Sequence, residues 1–307
     1  MYETLKQGFR KQFGREAEWI FSAPGRTELS GNHTDHQHGC VLAAAVDLDT
    51  RAAVGKNGGN AIRVLSEGYP LCEVALDELT VRPEEKNTTA ALVRGVAARF
   101  AQLGCKIEGF DAYVTSTVLP GSGLSSSAAF EMGMACIWNG EYACGLDARA
   151  LAGICQYAEN TYFGKPSGQL DQLASAVGGV IFADFADPAA PQVEKIHADG
   201  LLPPGMTLCV TDTRGSHSEL TGEFAAIRQE MEAVAACLGG KVLGQVPETD
   251  FWAALPRLRT ACGDRAVLRA IHYYEENART LAQRRALLKK RFADFAALVL
   301  ESGRASF

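Results

Sequence analysis

An α+β fold in two domains is predicted by this sequence, and three observations carry that expectation. Segments with the periodicities of strands and of helices are interleaved without a regular βαβ repeat. A stretch rich in Pro, Ala and charge, ADPAAPQVEKIHADGLLPP at 186–204, interrupts them and marks a domain boundary. A chain of 307 residues, 47% hydrophobic and 21% charged, is long enough to bury two ordinary cores. The expected domains are 1–195 and 196–307.

The elements follow in order. Leu5, Phe9 and Phe13 recur every four residues and predict a helix with one apolar stripe, followed by a strand at Trp19–Pro24. A polar turn occupies 24–39. Strands are expected over 41–54, 61–65 and 71–76, with KNGGN at 56–60 as the clearest hairpin signal. A helix over 88–102 leads to a strand over 110–118, a Gly- and Ser-rich turn, and a nearly uninterrupted apolar helix over 128–138 that must be buried. A helix over 147–163 stops at Gly164-Lys-Pro-Ser-Gly168, a second begins near Gln169 and ends at Gly178-Gly179, and 180–185 returns as a strand. Beyond the boundary the pattern predicts a strand over 206–212 and helices near 218–238 and 265–300.

Charge and composition exclude several function classes. A net charge of −6 without a Lys/Arg run leaves no face for a polyanion, so nucleic acid is not an expected partner. The start, MYETLKQGFRKQFG, has no apolar signal core and no later stretch reaches membrane-spanning length, so a cytoplasmic protein without membrane contact is expected. A monomer is the expected state, although no sequence feature decides it. Nine cysteines form no C-x-x-C pair and several lie in apolar runs, which predicts reduced thiols rather than disulfides or zinc.

The densest chemical signal is Leu119–Ala129. Gly121, Ser122 and Gly123 let the backbone turn tightly, and Leu124, Ser125, Ser126, Ser127 and Ala128 then open a helix whose unpaired N–H groups point back at the loop. Such convergent donors, with the partial positive charge of a helix N-terminus, can hold the triphosphate of ATP without a lysine. A hydroxyl of Ser126 or Ser127 could also ligate Mg²⁺, which favours hard oxygen donors. Ser125 alone could serve simply as a helix cap. Three consecutive serines preceded by two glycines exceed what a cap requires.

A second signal lies in the turn at 24–39, where Arg26, Glu28, Asn32, His33, Asp35, His36 and His38 crowd into one loop held by strands. A metal site or a site that hydrogen-bonds a polyol would both use these residues. No second ligand cluster supports the metal, and His36 and His38 also fit a solvated surface loop.

These segments resemble a known family. Pro24-Gly-Arg with Gly31-Asn-His-Thr-Asp35 is similar to the galactokinase signature, Leu119–Ala129 to the ATP motif of the GHMP kinase superfamily, and Gly168-Gln-Leu-Asp-Gln172 to its Gly-x-x-Asp-Gln element. The resemblance runs from about residue 20 onward and implies a ribosomal-S5-like N-terminal domain followed by a ferredoxin-like domain. It implies Asp171 as the base for the sugar C1 hydroxyl and Arg26 as its partner, which also stabilises the transferring phosphoryl group. Ser127 and Glu159 would hold Mg²⁺, and His33, Asp35 and Gly168 would contact galactose.

Three positions depart from the family. Asn32 stands where galactokinases carry a Glu that binds the sugar C6 hydroxyl, Glu28 where they carry Asn, and Phe224 where a Tyr lines the sugar site. Neutral Asn32 removes a charge that would repel a C6 carboxylate, and the string His33-Thr-Asp-His-Gln37 also resembles galacturonate kinases. A non-catalytic sensor of galactose and ATP is the other alternative, opposed by the presence of both Arg26 and Asp171. Family members continue to a third Gly-rich motif, which is not found after Gly179, so an incomplete C-terminal domain is expected.

Overall fold

The computed structural model of the chain describes residues 2–197, 203, 206–211 and 221–306, except for the side chains of Thr221 and Phe224. Its contacts group into two compact units, Met1–Arg26 with Ala45–Gly178, and Thr27–Ala44 with Gly179–Phe307. The strands β1 (Trp19–Ser30) and β2 (Cys40–Lys56), which pair with each other, run through both units.

In the first unit, the later part of β2 pairs antiparallel with β5 (Phe110–Ser116), setting Ala52 opposite Val114. β5 pairs parallel with β3 (Ala61–Ser66), which pairs antiparallel with β4 (Cys72–Ala75). Side chains alternate across such strands, so Ala52, Val54, Ile62, Val64, Val74, Ala112 and Val114 share burial on the sheet. Helix α1 (Tyr2–Phe13) lays Leu5 and Phe9 against Ala53, as its four-residue stripe predicts. The remaining helices are α2 (Thr89–Gln102), α3 (Ser126–Glu141), α4 (Ala148–Tyr157) and α5 (Leu170–Val177). The Trp138 ring on α3, fully buried, meets Phe100 at 5.7 Å and Phe110 at 5.1 Å. Thr88 caps α2 and Asp147 caps α4, each accepting an N–H that the helix leaves unpaired. A π-helical turn over Ala158–Phe163 continues α4 and ends at left-handed Gly164.

In the second unit, the first residues of β2 pair antiparallel with β6 (Val180–Asp184), and β6 with β7 (Gln192–Ile196). Helices α6 (Thr221–Ala236), α7 (Glu248–Cys262), α8 (Asp264–Leu288) and α9 (Phe292–Ser306) complete it. Met231, Val234, Leu243, Phe251, Leu258, Val267 and Tyr273 form one core, and Leu42, Val180 and Phe182 pack with Ala286, Leu287 and Phe295 in another. Among the described residues, no helix is long and apolar enough to cross a membrane.

The strand expected over Trp19–Pro24 continues to Ser30 as β1, which pairs with β2, and the turn shortens accordingly. Within 186–204, residues 192–196 form β7, whose ladder with β6 outweighs its breaker-rich flanks. Helix α7 occupies a stretch where the sequence pattern predicts no element, and it holds Pro256 in its interior. Residues 206–211 form no strand: Met206, Leu208 and Val210 alternate as a strand would, but no ladder partner is present among the described residues and all three are exposed. Residue 212 and the expected helix start at 218–220 lie outside the described residues. The helix expected over 265–300 is two, α8 and α9, separated where Lys290 turns left-handed. The division at 195/196 rests on composition and remains our proposal for the domain boundary.

Candidate active site

The Gly-Ser-Gly loop is built as its residues require. Gly121 and Gly123 take φ values of +76° and +77°, the region open to glycine. The Ser122 hydroxyl donates to Leu119 O at 2.6 Å, tying the loop to its own start. Ser125 also adopts left-handed backbone, with φ 60°, and its side chain makes no capping bond to α3. The simple capping role is thereby overturned. Its hydroxyl donates instead to Asp171 Oδ2 at 2.5 Å, reaching a residue in the first turn of α5.

Arg26 closes the same group. Its Nε and Nη2 both donate to Asp171 Oδ1, at 2.7 and 2.5 Å, and Nη1 donates to Gly123 O at 2.7 Å. One guanidinium thus ties the carboxylate to the loop, using the planar fork that lysine lacks. Burial opposes ionisation of Asp171, but the charge of Arg26 and the Ser125 hydroxyl outweigh it and hold the carboxyl below the usual carboxylate range. Asp171 is therefore a carboxylate, strongly hydrogen-bonded and weakly basic.

Beside it lies a second oxygen cluster of the same unit. Glu159, on the π-helical turn and fully buried, accepts from Ser127 Oγ at 2.8 Å and Lys165 Nζ at 2.9 Å through Oε1, and from Gln172 Nε2 at 2.8 Å through Oε2. A hydroxyl and a carboxylate this close are hard donors of the kind Mg²⁺ accepts. Glu131, one turn along α3 from Ser127, is also fully buried, and burial followed by the charge of Glu159 pushes its pKa well up. Its neutral form is favoured.

The polar turn belongs to the second unit. Gly31 (φ +98°) leaves no room for a side chain, because a Cβ would fall 2.5 Å from Cys40 O. Thr34, fully buried, lies 2.8 Å from Gly31 O and 2.7 Å from Cys40 O, bridging both with one hydroxyl. Helix α8 holds the backbone from outside: Glu276 Oε1 accepts from Gly31 N at 2.9 Å, His272 Nε2 donates to Asn32 O at 2.9 Å, and Asn277 Oδ1 accepts from Cys40 N at 2.7 Å. His33 and His38 are left-handed, with φ 62° and 64°, and strain of this kind concentrates at functional sites. The rings of His33 and His36 are 5.6 Å apart, with His36 Nε2 at 3.4 Å from His33 Nδ1. Burial, with added repulsion from His36, lowers the His33 pKa to about 4; burial, with Arg228, lowers that of His36 to about 4. Both rings are neutral at pH 7.

Of the candidates read from the sequence, Arg26, Gly123, Ser125 and Asp171 share one hydrogen-bonded group, and Ser127 and Glu159 form another. Gly168 precedes α5 directly, two residues before its start. Asn32, His33 and Asp35 share the turn of the second unit. Phe224 lies on α6, with its side chain outside the described residues. Sequence reasoning missed Lys165, Glu131, His272 and Glu276. Gln172 stands inside the Gly-x-x-Asp-Gln element and could have been singled out.

Comparison with known proteins fits this geometry. The model for the N-terminal domain of GHMP kinases matches residues 91–179, and the galactokinase galactose-binding signature matches 7–56. The crystal structure of Lactococcus lactis galactokinase complexed with galactose superposes with a TM-score of 0.77 at 24% identity, covering 97% of this chain and 77% of that one. The α+β fold is thus that of the GHMP kinases. Galactokinase of Lacticaseibacillus casei is 31% identical across 97% of this chain and 77% of that protein. Galactokinase of Streptomyces coelicolor is 38% identical over 258 residues, 83% of this chain. The chain belongs to the galactokinase family. It spans just under two thirds, 66%, of the Streptomyces coelicolor protein.

Proposed function

We propose that the chain transfers the γ-phosphoryl group of ATP to the C1 hydroxyl of galactose. The observation that carries this reading is the fork of Arg26 on Asp171 and Gly123, which joins a carboxylate to the Gly-Ser-Gly loop. In a loose phosphoryl-transfer transition state, positioning and charge neutralisation matter more than a strong base. A carboxylate held below its usual pKa suits that: Asp171 orients the C1 hydroxyl and takes its proton late, as the bond to phosphorus forms. Arg26 fixes Asp171 and neutralises charge on the transferring group.

In this reading the backbone of Gly121, Ser122, Gly123, Leu124, Ser125, Ser126, Ser127 and Ala128 binds the phosphates of ATP at the N-terminus of α3. Ser127 and Glu159 fit a Mg²⁺ ion by their donor chemistry, and the ion would neutralise phosphate charge there. Asn32, His33, Asp35, Gly168 and Phe224 recognise the sugar. A cytoplasmic monomer with sugar and nucleotide as its partners completes the proposal.

Neutral Asn32 favours one further substrate, galacturonate, because it removes a charge that would repel a C6 carboxylate. Phosphorus NMR of the chain with ATP and Mg²⁺, with galactose, with galacturonate and without sugar, tests both. A sugar 1-phosphate signal with galactose is expected. Signal from the uronic acid alone would replace the substrate, and ADP without any sugar phosphate would remove the reading.

A further inference from the structure

A chain of hydrogen bonds in the polar turn begins at an atom whose role is not negotiable. The backbone N–H of Leu243 can only donate, and it lies 3.0 Å from a side-chain atom of Gln37, which must therefore be the amide oxygen. Gln37 is fully buried, so its amide has no freedom to rotate away. The other end is then the NH₂ group, 3.1 Å from His36 Nδ1. An amide NH₂ also can only donate, so His36 Nδ1 accepts, and a neutral His36 carries its hydrogen on Nε2. That hydrogen faces His33 Nδ1 at 3.4 Å, which accepts in turn. The hydrogen of His33 is left on Nε2. Hydrogen on Nδ1 of His36 would set N–H against the NH₂ group, and hydrogen on Nδ1 of His33 would set two ring N–H groups against each other.

We propose that Gln37 and His36 are positioning residues that fix His33 in the Nε2–H tautomer, so that His33 meets the sugar as a hydrogen-bond donor only. The inference rests on the reading of His33 as a sugar contact, and it makes the relay a determinant of specificity. The substrate atom met by His33 must be an oxygen that accepts, and a ligand presenting only a donor there is rejected, because two donors would face each other in a half-buried site. The lowered pKa of both rings supports the neutral forms that the relay requires. Neither Gln37 nor His36 need touch the ligand for this.

The test begins without any sugar. Long-range proton–nitrogen spectra of the chain carrying ¹⁵N-labelled histidine, recorded at pH 7 and assigned with His33→Asn and His36→Asn, distinguish the two tautomers of each ring. Both rings are expected in the Nε2–H form; hydrogen on Nδ1 of His33, or a doubly protonated His36, overturns the proposal. Because no substrate is present, that failure is separate from failure of the kinase reading. The second arm is Gln37→Glu, which still accepts from Leu243 but offers His36 only an acceptor, and so reverses the relay. The galactose KM is expected to rise about tenfold or more while the ATP KM stays unchanged. A merely structural role would disturb both alike, and an unchanged galactose KM in the folded variant counts against the relay. If Gln37→Glu does not fold, the spectra of the unmodified chain still decide.

Discussion

The hydroxyl of Ser125 donates to Asp171 Oδ2 at 2.5 Å across 46 residues of sequence, from a backbone with φ 60°. A non-glycine residue in that region costs about 1 kcal/mol or more, which the local fold sustains without a capping bond in return. The strain is offset where the hydroxyl is used, on the carboxylate.

Ser125→Gly separates the two effects. Glycine relieves about 1 kcal/mol of left-handed strain while losing the bond that offsets it, so the melting temperature is expected to change little. Loss of one charge-assisted hydrogen bond to Asp171 is expected to lower kcat about tenfold. Thermal unfolding and steady-state ADP release measure both, and a fall in stability at unchanged kcat would assign Ser125 to structure alone.

Arg26→Lys keeps the charge but loses the fork. A lysine reaches one acceptor where Arg26 reaches Asp171 and Gly123 together, so kcat/KM is expected to fall about 10²-fold. Combined with Asp171→Asn, the effects are expected to be strongly non-additive, since the two side chains act as a unit. A double-mutant cycle on ADP release measures the coupling, and simple additivity would show that the pair works separately.

Ser127→Ala removes one hard donor from the pair held at 2.8 Å, and Glu159→Gln replaces the carboxylate by a neutral amide oxygen. Both are expected to raise the Mg²⁺ concentration required for half-maximal nucleotide binding by about tenfold, with Glu159→Gln the larger because it also removes charge. Calorimetric titration of Mg²⁺ and nucleotide checks this without turnover.

The polar turn gives stability a pH dependence. His33 and His36 take up protons near pH 6.5 when unfolded but only near pH 4 when folded, so the unfolded chain binds more protons between those values. The stability these two rings contribute is expected to fall as pH drops from about 6.5 to about 4 and to change no further below that. Asp35 and Glu232 attract protons to the rings, while Arg228, Arg269 and His272 repel them. His36→Phe is expected to flatten the slope of melting temperature against pH over this range.

Much of the site was legible because its signals are contiguous. Leu119–Ala129 and Gly168–Gln172 carry their chemistry in single short stretches, and the buried helix after the loop follows from its unbroken apolar run. The contacts that complete each hydrogen-bonded group join distant residues, and no local pattern reveals them. His272 and Glu276 on α8 meet the turn across 240 and 245 residues. Lys165 looked like a loop residue until the π-helical turn brought Glu159 to it. Strand β7 was hidden in a breaker-rich stretch, and α7 occupies a stretch where the sequence pattern predicts no element. Pairing and packing decide both elements, and neither is a local property.

Asp171→Asn tests the account most directly. It keeps the side-chain shape and an acceptor for Arg26 but removes the carboxylate that takes the C1 proton. With galactose, ATP and Mg²⁺, the unmodified chain is expected to form galactose 1-phosphate and ADP in equal amounts, and the variant to do so about 10²-fold or more slowly with little change in galactose KM. Equal rates of sugar phosphate formation in the two proteins would contradict the assignment of Asp171 as the base, and with it the proposed mechanism.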